Sequence, residues 1–470
     1  MNMIDTELLQ RIFATAMERG GDYAEVYAEQ TESESLQLMD GQVSQATLSL
    51  LSGVGVRVVC GEKTGYSYVM SHNPEDLLRA AKSAACIADS ATGGSLACPG
   101  WGTGEAPQAM QGQGTIYPIL KPWSDYAVTL RANYLKQLEA AVLEQDNRVV
   151  KVRASLTIDT SSIQVANTLG VNLADIRPLV SLRLSVVMQQ DGRTESGFAS
   201  RQLRKGAEFL DDSLIADLSR EAVAQAAHLF LATRPEGGEM PVVMAAGASG
   251  ILLHEAIGHA FEADFNRQNT SIFSGRMGQQ VCHPSISIVD DGTLPEDAGA
   301  QLFDDEGTPS QCTTLVRDGK LESYLHDRIS ARHYGVEPTG NGRRQSFRHA
   351  PVPRMRSTYM LPGEATEEDV IRSVKRGIYA QSFTNGQVQI GAGDFTFYMK
   401  TGFLIEDGHL TRPIRDLNII GNGPRALASI SMVADNLVID HSAALCGKSG
   451  QQVPVSQGLP TVLVNKLIVG

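Results

Sequence analysis

One stretch, LLHEAIGHAFEAD at residues 252–264, limits what this chain can fold into more than any other. It sets Glu255 directly beside His254 and places a second histidine, His259, five residues after the first. Two neutral imidazoles on one helical turn can hold a metal, and a carboxylate beside them can act on bound water, the pattern of a zinc hydrolase. The usual step between such histidines is i to i+4. At 3.6 residues per turn, i+4 lies about 40° round from i, whereas i+5 lies about 140° round. A regular helix would therefore point the two rings apart. A single π-turn brings them back to one side, and such turns concentrate at functional sites. Gly258, just before the second histidine, is the residue expected to absorb the distortion. The motif thus predicts a strained helix with His254 and His259 as metal ligands and Glu255 as the catalytic group. The same three residues could equally form an ordinary half-buried helix face. The apolar neighbours Ile251, Leu252, Leu253 and Phe261 favour the metal, because an imidazole and a carboxylate buried among them need partners. A third ligand from elsewhere in the chain must decide.

The chain has 470 residues, more than one core supports, so two or three domains are expected. It is 42% hydrophobic and 20% charged, the composition of an ordinary globular protein. Net charge is −13 with no basic block, which argues against a nucleic-acid partner. The one local exception, Arg343-Arg344 with Arg348, Arg354 and Arg356, reads as a solvated or carboxylate-paired loop. The N-terminus leads straight into an amphipathic helix and not a signal peptide, and the longest apolar stretch, 242–253, is too short and Gly-rich to span a bilayer. Six cysteines (Cys60, Cys86, Cys98, Cys282, Cys312 and Cys446) show no paired spacing and make no disulfide framework. The cytoplasm is the expected compartment.

Periodicity predicts a helix over 4–19 and period-2 strands from Ala24 to Val69, with turns at Asp40-Gly41 and 61–65. A helix follows at 75–90, then a Gly- and Pro-rich loop or linker at 91–114. Next come a helix at 124–145, strands near 147–168 and 178–192, and a helix at 211–232. The segment from Thr233 to Gly238 is the better domain boundary. Beyond it the text is strand-rich with few helices, except near 366–376. The expected fold class is α+β: an α+β N-terminal domain over 1–232 and a predominantly β C-terminal domain over 233–470 that carries the metal-binding helix.

Other motifs read as structure first. GASG, Gly247 to Gly250, lacks the Lys-Ser/Thr of a P-loop and the spacing of a nucleophile elbow, so the glycines serve close packing. FDDEGTPSQ, with Asp304, Asp305 and Glu306, lacks calcium-loop spacing and reads as a turn. TGNGRR, from Thr339 to Arg344, is likewise a turn, although it could shape a cleft. For the third ligand, Glu262, Asp264, His283, His326, His333, His349, His409, His441 and Cys446 all remain open. Glu262, one turn after His259, is geometrically easy. Cys446, in ALCGKSGQQVPV, would supply a thiolate.

Several ordered segments together resemble the TldD/PmbA family of modulator-of-gyrase-type zinc peptidases. They are LLHEAIGHAFEADFNRQ, VDDGT (289–293), FDDEGTPSQ, TGNGRRQSF, STYMLPG (357–363), NGQV (385–388), ISMV (430–433) and CGKSGQQVPV. The resemblance covers essentially the whole chain and is densest from Pro241 onward. It points to the TldD-type, metal-bearing member; the PmbA-type partner is similar in fold and lacks the metal motif. By that resemblance His254, His259 and Cys446 are the Zn²⁺ ligands and Glu255 is the catalytic glutamate. It further implies that the substrates are unstructured peptides, as in leader trimming or antitoxin turnover. The implied assembly is a homodimer or a heterodimer with a PmbA-type subunit. Two competing readings are a non-catalytic subunit that completes a partner's cleft and a zinc amidase acting on a non-peptide substrate.

Overall fold

In the computed structural model, which describes residues 3–88 and 116–470, the first half of the chain uses one pattern twice. The expected linker at 91–114 lies outside the described residues. A helix α1 (Thr6–Met17), strands β1 (Tyr23–Met39), β2 (Gln42–Cys60) and β3 (Lys63–Val69), and a helix α2 (Pro74–Ala88) form the first copy. The second is α3 (Val128–Gln145), β4 (Val149–Asn167), β5 (Asn172–Gln190), β6 (Arg193–Leu203) and α4 (Asp212–Leu231). Both meanders join through β1 and β4 into one antiparallel sheet of order β3-β2-β1-β4-β5-β6. Alternate residues of each strand face the helices: Val54, Val56 and Val58 pack with α1 and α2, and Leu182, Leu184 and Val186 with α3 and α4. A Cβ on Gly65 would lie 2.0 Å from the Ala84 carbonyl of α2, and one on Gly197 would lie 1.8 Å from the Ala222 carbonyl of α4. The same close seating of helix on strand thus requires glycine in both copies. The strand β6, absent from the sequence reading, is turned back by Asp191 and Gly192, whose φ angles are 51° and 77°.

The second half is built mainly from two large sheets, with two two-stranded pairs beside them. Five strands (Gly238–Met244, Arg376–Gln389, Asp394–Glu406, His409–Asn422 and Val462–Val469) pair side by side. Pairing of Ile419 and Ile420 with Val469 and Ile468 closes them into a ring. The other sheet has the order Lys320–Leu321, Cys312–Arg317, Ile288–Asp291, Ser357–Met360, Ser456–Leu459, Val438–Asp440. The His-Glu helix is wedged between them in one continuous apolar core that includes Leu252, Leu253, Ile257 and Phe261. The fold is mixed α+β. Besides Glu367–Arg372, which carries a capping box at Thr366, short helices occur at Ala263–Arg267, Arg328–Tyr334 and Gly423–Ala428. Among the described residues no helix is long and apolar enough to cross a membrane.

The two halves meet through buried charge. Arg57 of β2 pairs with Glu25 of β1 at 3.0 Å and also with Glu306, all three almost fully buried. Glu25 takes a second partner in Arg344 at 2.5 Å, and Asp305 binds Arg177 of β5 at 2.5 Å. The FDDEG and TGNGRR segments are therefore turns whose acidic and basic side chains plug into the N-terminal sheet. Arg343, Arg354 and Arg356 are also buried, and donate chiefly to backbone carbonyls such as Met355, Cys446 and Gly340. Of the two expectations, carboxylate pairing holds for Arg344 with Glu25, and a solvated loop is corrected for Arg343, Arg344, Arg354 and Arg356, which are buried. Only Arg348 stays exposed.

Candidate metal centre

The helix that carries the motif passes through three types within eleven residues: α-helical at Ile251–Leu253, π-helical at His254–Gly258 and 3-10 at His259–Phe261. Its wide turn closes on the two histidines themselves, because the His259 N–H donates to the His254 carbonyl. That i→i+5 bond overfills the turn and returns both rings to one side. The imidazole centroids stand 4.9 Å apart with the planes at 85°. Gly258 has ordinary helical angles, φ −54° and ψ −56°, so it does not absorb the distortion as the sequence suggested. Its role is steric: a Cβ there would lie 2.1 Å from the Met355 sulfur.

Cys446 reaches the pair from the hairpin Leu445–Lys448 and Gln451–Pro454, with its Sγ 3.4 Å from His259 Nε2. One ligand-type atom from each of His254, His259 and Cys446 lies within 4.8 Å of the others, and all three residues are buried. Burial alone would raise the Cys446 thiol, but His254 and His259 pull it down to about 4. Two imidazoles and a thiolate at this spacing are a donor set suited to a tetrahedral metal ion with one position left open. These three residues form a metal site.

The remaining third-ligand candidates lie elsewhere or play another part. Glu262 accepts a hydrogen bond from His259 Nδ1 at 2.9 Å, on the face of the ring opposite Cys446. Burial would raise its carboxyl, yet Lys448, His259 and Arg354 hold it down at about 2. Asp264 pairs with Lys448 at 2.7 Å. His333 binds Glu62, His441 faces Asp297, and His283 and His349 bond to nearby serines. His326 is buried beside Tyr324 and Tyr334, and burial lowers its imidazole to about 4. His409 begins an exposed strand end.

Glu255 projects from the other flank of the π-turn and is half-buried. It lies against the strand Arg376–Gln389 at Gly386, where a Cβ would come within 3.1 Å of Glu255 Cγ. On the side away from Asp394–Glu406, this strand pairs with Gly238–Met244 only over Ile378 to Ala380. Its continuation past Glu255, residues 381–389, has no partner strand on that side among the described residues.

Family models described as PmbA/TldA metallopeptidase domain 1, central domain and C-terminal domain match residues 24–88, 121–230 and 237–470. A metalloprotease TldD homolog of Haemophilus influenzae is 39% identical over 99% of this chain and 96% of its own length. The chain belongs to the TldD/PmbA metallopeptidase family. It is a metalloprotease of TldD kind. A metalloprotease of Methanothermobacter thermautotrophicus is 29% identical over 99% of both chains. A zinc metalloprotease TldD homolog of Saccharolobus solfataricus is 32% identical over 55% of this chain and 57% of its own. Among solved structures, a Thermotoga maritima protein described as a modulator of a DNA gyrase superposes with a TM-score of 0.78 over 99% of both chains at 24% identity. TldE of Thermococcus kodakarensis superposes with a TM-score of 0.75 at 18% identity, covering 98% of this chain and 100% of that one. Both likenesses concern the fold.

Proposed function

We propose that this chain is a zinc peptidase that trims or degrades unstructured peptides, with residues 1–232 as an N-terminal domain and 233–470 as the catalytic one. The observation that carries the reading is the position of Glu255: on the same π-turn as two ligands, packed against Gly386 of a strand whose outer edge is unpaired over residues 381–389 among the described residues. The thiolate and two imidazoles favour zinc over harder cations, and the Saccharolobus relative is named for it. Zinc held by His254, His259 and Cys446 would polarise the scissile carbonyl and acidify a water beside it. Glu255 takes the proton from the attacking water and passes it to the leaving amine.

A peptide laid along residues 381–389 would gain main-chain hydrogen bonds on the free edge. Such binding gives low sequence selectivity, as a trimming or degrading enzyme needs. We further place the protein in the cytoplasm and in a dimer, either with its own copy or with a PmbA-type subunit. The outer stretch of β2, Gln42 to Leu50, is exposed throughout, with Leu48 at 69% and Leu50 at 64% exposure, which supports a partner there. The buried arginines of the TGNGRR region are not available to a polyanion, consistent with a function away from nucleic acid.

The test is Glu255→Gln, read by metal analysis and by mass spectrometry of digested peptides. Zinc should stay at the wild-type level while turnover falls by at least about 10²- to 10⁴-fold, the scale of general acid–base catalysis. Near-normal cleavage with zinc bound would remove Glu255 from the mechanism. Zinc-dependent release of small amides with intact peptides would favour a non-peptide substrate.

A further inference from the structure

We infer that Glu262, held by Lys448 and Arg354, is the positioning residue that sets the tautomer of His259 and locks the Cys446 hairpin to the ligand helix. The inference rests on a metal being held by His254, His259 and Cys446. Glu262 is fully buried, and its Oε2 accepts the His259 Nδ1 proton at 2.9 Å. With that proton fixed on Nδ1, the lone pair of the ring lies on Nε2, the nitrogen 3.4 Å from Cys446 Sγ. His254 Nδ1 is buried without a hydrogen-bond partner among the described residues.

The carboxylate is fixed in turn from the third ligand's side. Lys448 lies two residues after Cys446 on the same hairpin, and its ammonium sits 3.1 Å from Glu262 Oε2 and 2.7 Å from Asp264 Oδ1. It also donates to the Pro353 carbonyl at 2.9 Å. Arg354, whose Nε is 4.0 Å from Glu262 Oε1, donates through its other end to the Cys446 carbonyl. One buried carboxylate therefore orients one ligand through a hydrogen bond and anchors another through its ion pair with Lys448, while Arg354, too distant from Glu262 for a hydrogen bond, adds its charge. The helix and the hairpin are nearly two hundred residues apart in sequence, 187 between His259 and Cys446, and this cluster is where they are tied together. A charge cluster kept only for stability would not need its carboxylate aimed at a ligand nitrogen.

The experiment measures zinc affinity by chelator competition, together with the thiolate-to-metal absorption of the cobalt-substituted protein. Removing the carboxylate while Lys448 stays would leave the ammonium to Asp264 and the Pro353 carbonyl and change the charge around the ligands, so the decisive comparison is made with Lys448→Met present in both variants. Glu262→Gln/Lys448→Met keeps an acceptor for the His259 proton, and Glu262→Met/Lys448→Met does not. The Gln variant should bind zinc more tightly than the Met variant, which should lose about 10- to 100-fold against wild type. Its cobalt spectrum should change shape as well. Single Glu262→Gln and single Lys448→Met should each weaken binding while circular dichroism of the metal-free protein stays unchanged. Equal zinc affinity in the two double variants, or affinity within twofold of wild type in both, would overturn the inference. Failure of the wild-type protein itself to take up zinc would instead overturn the metal-site reading beneath it.

Discussion

The two flanks of the His-Glu helix are built by opposite means. On one, His259 leans on a buried carboxylate that is itself fixed by Lys448 and Arg354. On the other, His254 Nδ1 has no hydrogen-bond partner among the described residues, and Glu255 beside it rests against Gly386. Charge and hydrogen bonds fix the first flank, and van der Waals contact shapes the second. The difference suits a site in which ligands must hold still while a proton-transfer group meets substrate. On the first flank Glu262 is fully buried, whereas Glu255 on the second is half-buried.

The sharpest way to break this division is Cys446→Ala, which removes the ligand against which both histidines are set. Zinc occupancy should fall far below one per chain and peptide cleavage should drop below detection. The fold should survive, because the metal is catalytic and the hairpin's backbone pairing remains. Metal analysis beside circular dichroism would check it. Unchanged zinc and activity would mean that the thiolate is not a ligand.

A change on the Glu255 flank should separate chemistry from metal binding. Gly386→Ala places a Cβ 3.1 Å from Glu255 Cγ, 2.9 Å from Phe397 Cδ1 and 3.1 Å from Ile251 Cδ1. Phe397 and Glu255 must give by a few tenths of an ångström, less than the displacement of about 1 Å that can cost 10²-fold in rate. We expect kcat to fall by less than about 10²-fold with zinc content unchanged, measured by steady-state cleavage of one peptide. A loss of zinc instead would show that this wall supports the ligands too. The smallest effect belongs to Gly258→Ala, where the new methyl meets Met355 in the core and not the reaction. Overpacking there should cost about 1 to 3 kcal/mol of stability by denaturant titration. Zinc stoichiometry should not change, since alanine accepts the helical angles already present at Gly258.

How much of this was legible beforehand follows from the range over which each feature acts. The π-turn was legible because it follows from the arithmetic of a helix and the spacing of two residues. Gly258 was marked for the right helix and the wrong reason: sequence shows where a glycine is, but not that Met355 will press on it. Glu262 was considered as a ligand because spacing along a helix places a carboxylate near a histidine without saying which ring nitrogen it will face. Residue chemistry left Cys446 among nine candidates, and only the family resemblance selected it.

The buried ion pairs were the least legible. Glu25 and Arg344 are 319 residues apart, so the sequence could suggest a carboxylate partner for the arginine but not which one. The repeated helix–meander–helix pattern was also missed, because period-2 strands differ freely on their exposed faces while keeping the same core. The helices at Ala263–Arg267, Arg328–Tyr334 and Gly423–Ala428 are too short for a 3.6-residue period to show.

The central claim is that one zinc ion is held by two imidazoles and a thiolate on a π-turn, with Glu255 beside it. X-ray absorption at the zinc edge of the metal-loaded protein tests it most directly. The account predicts one sulfur at about 2.3 Å and two imidazole nitrogens at about 2.0 to 2.1 Å, with one further light atom completing four-coordination. A shell without sulfur, or one with a single imidazole, would contradict it.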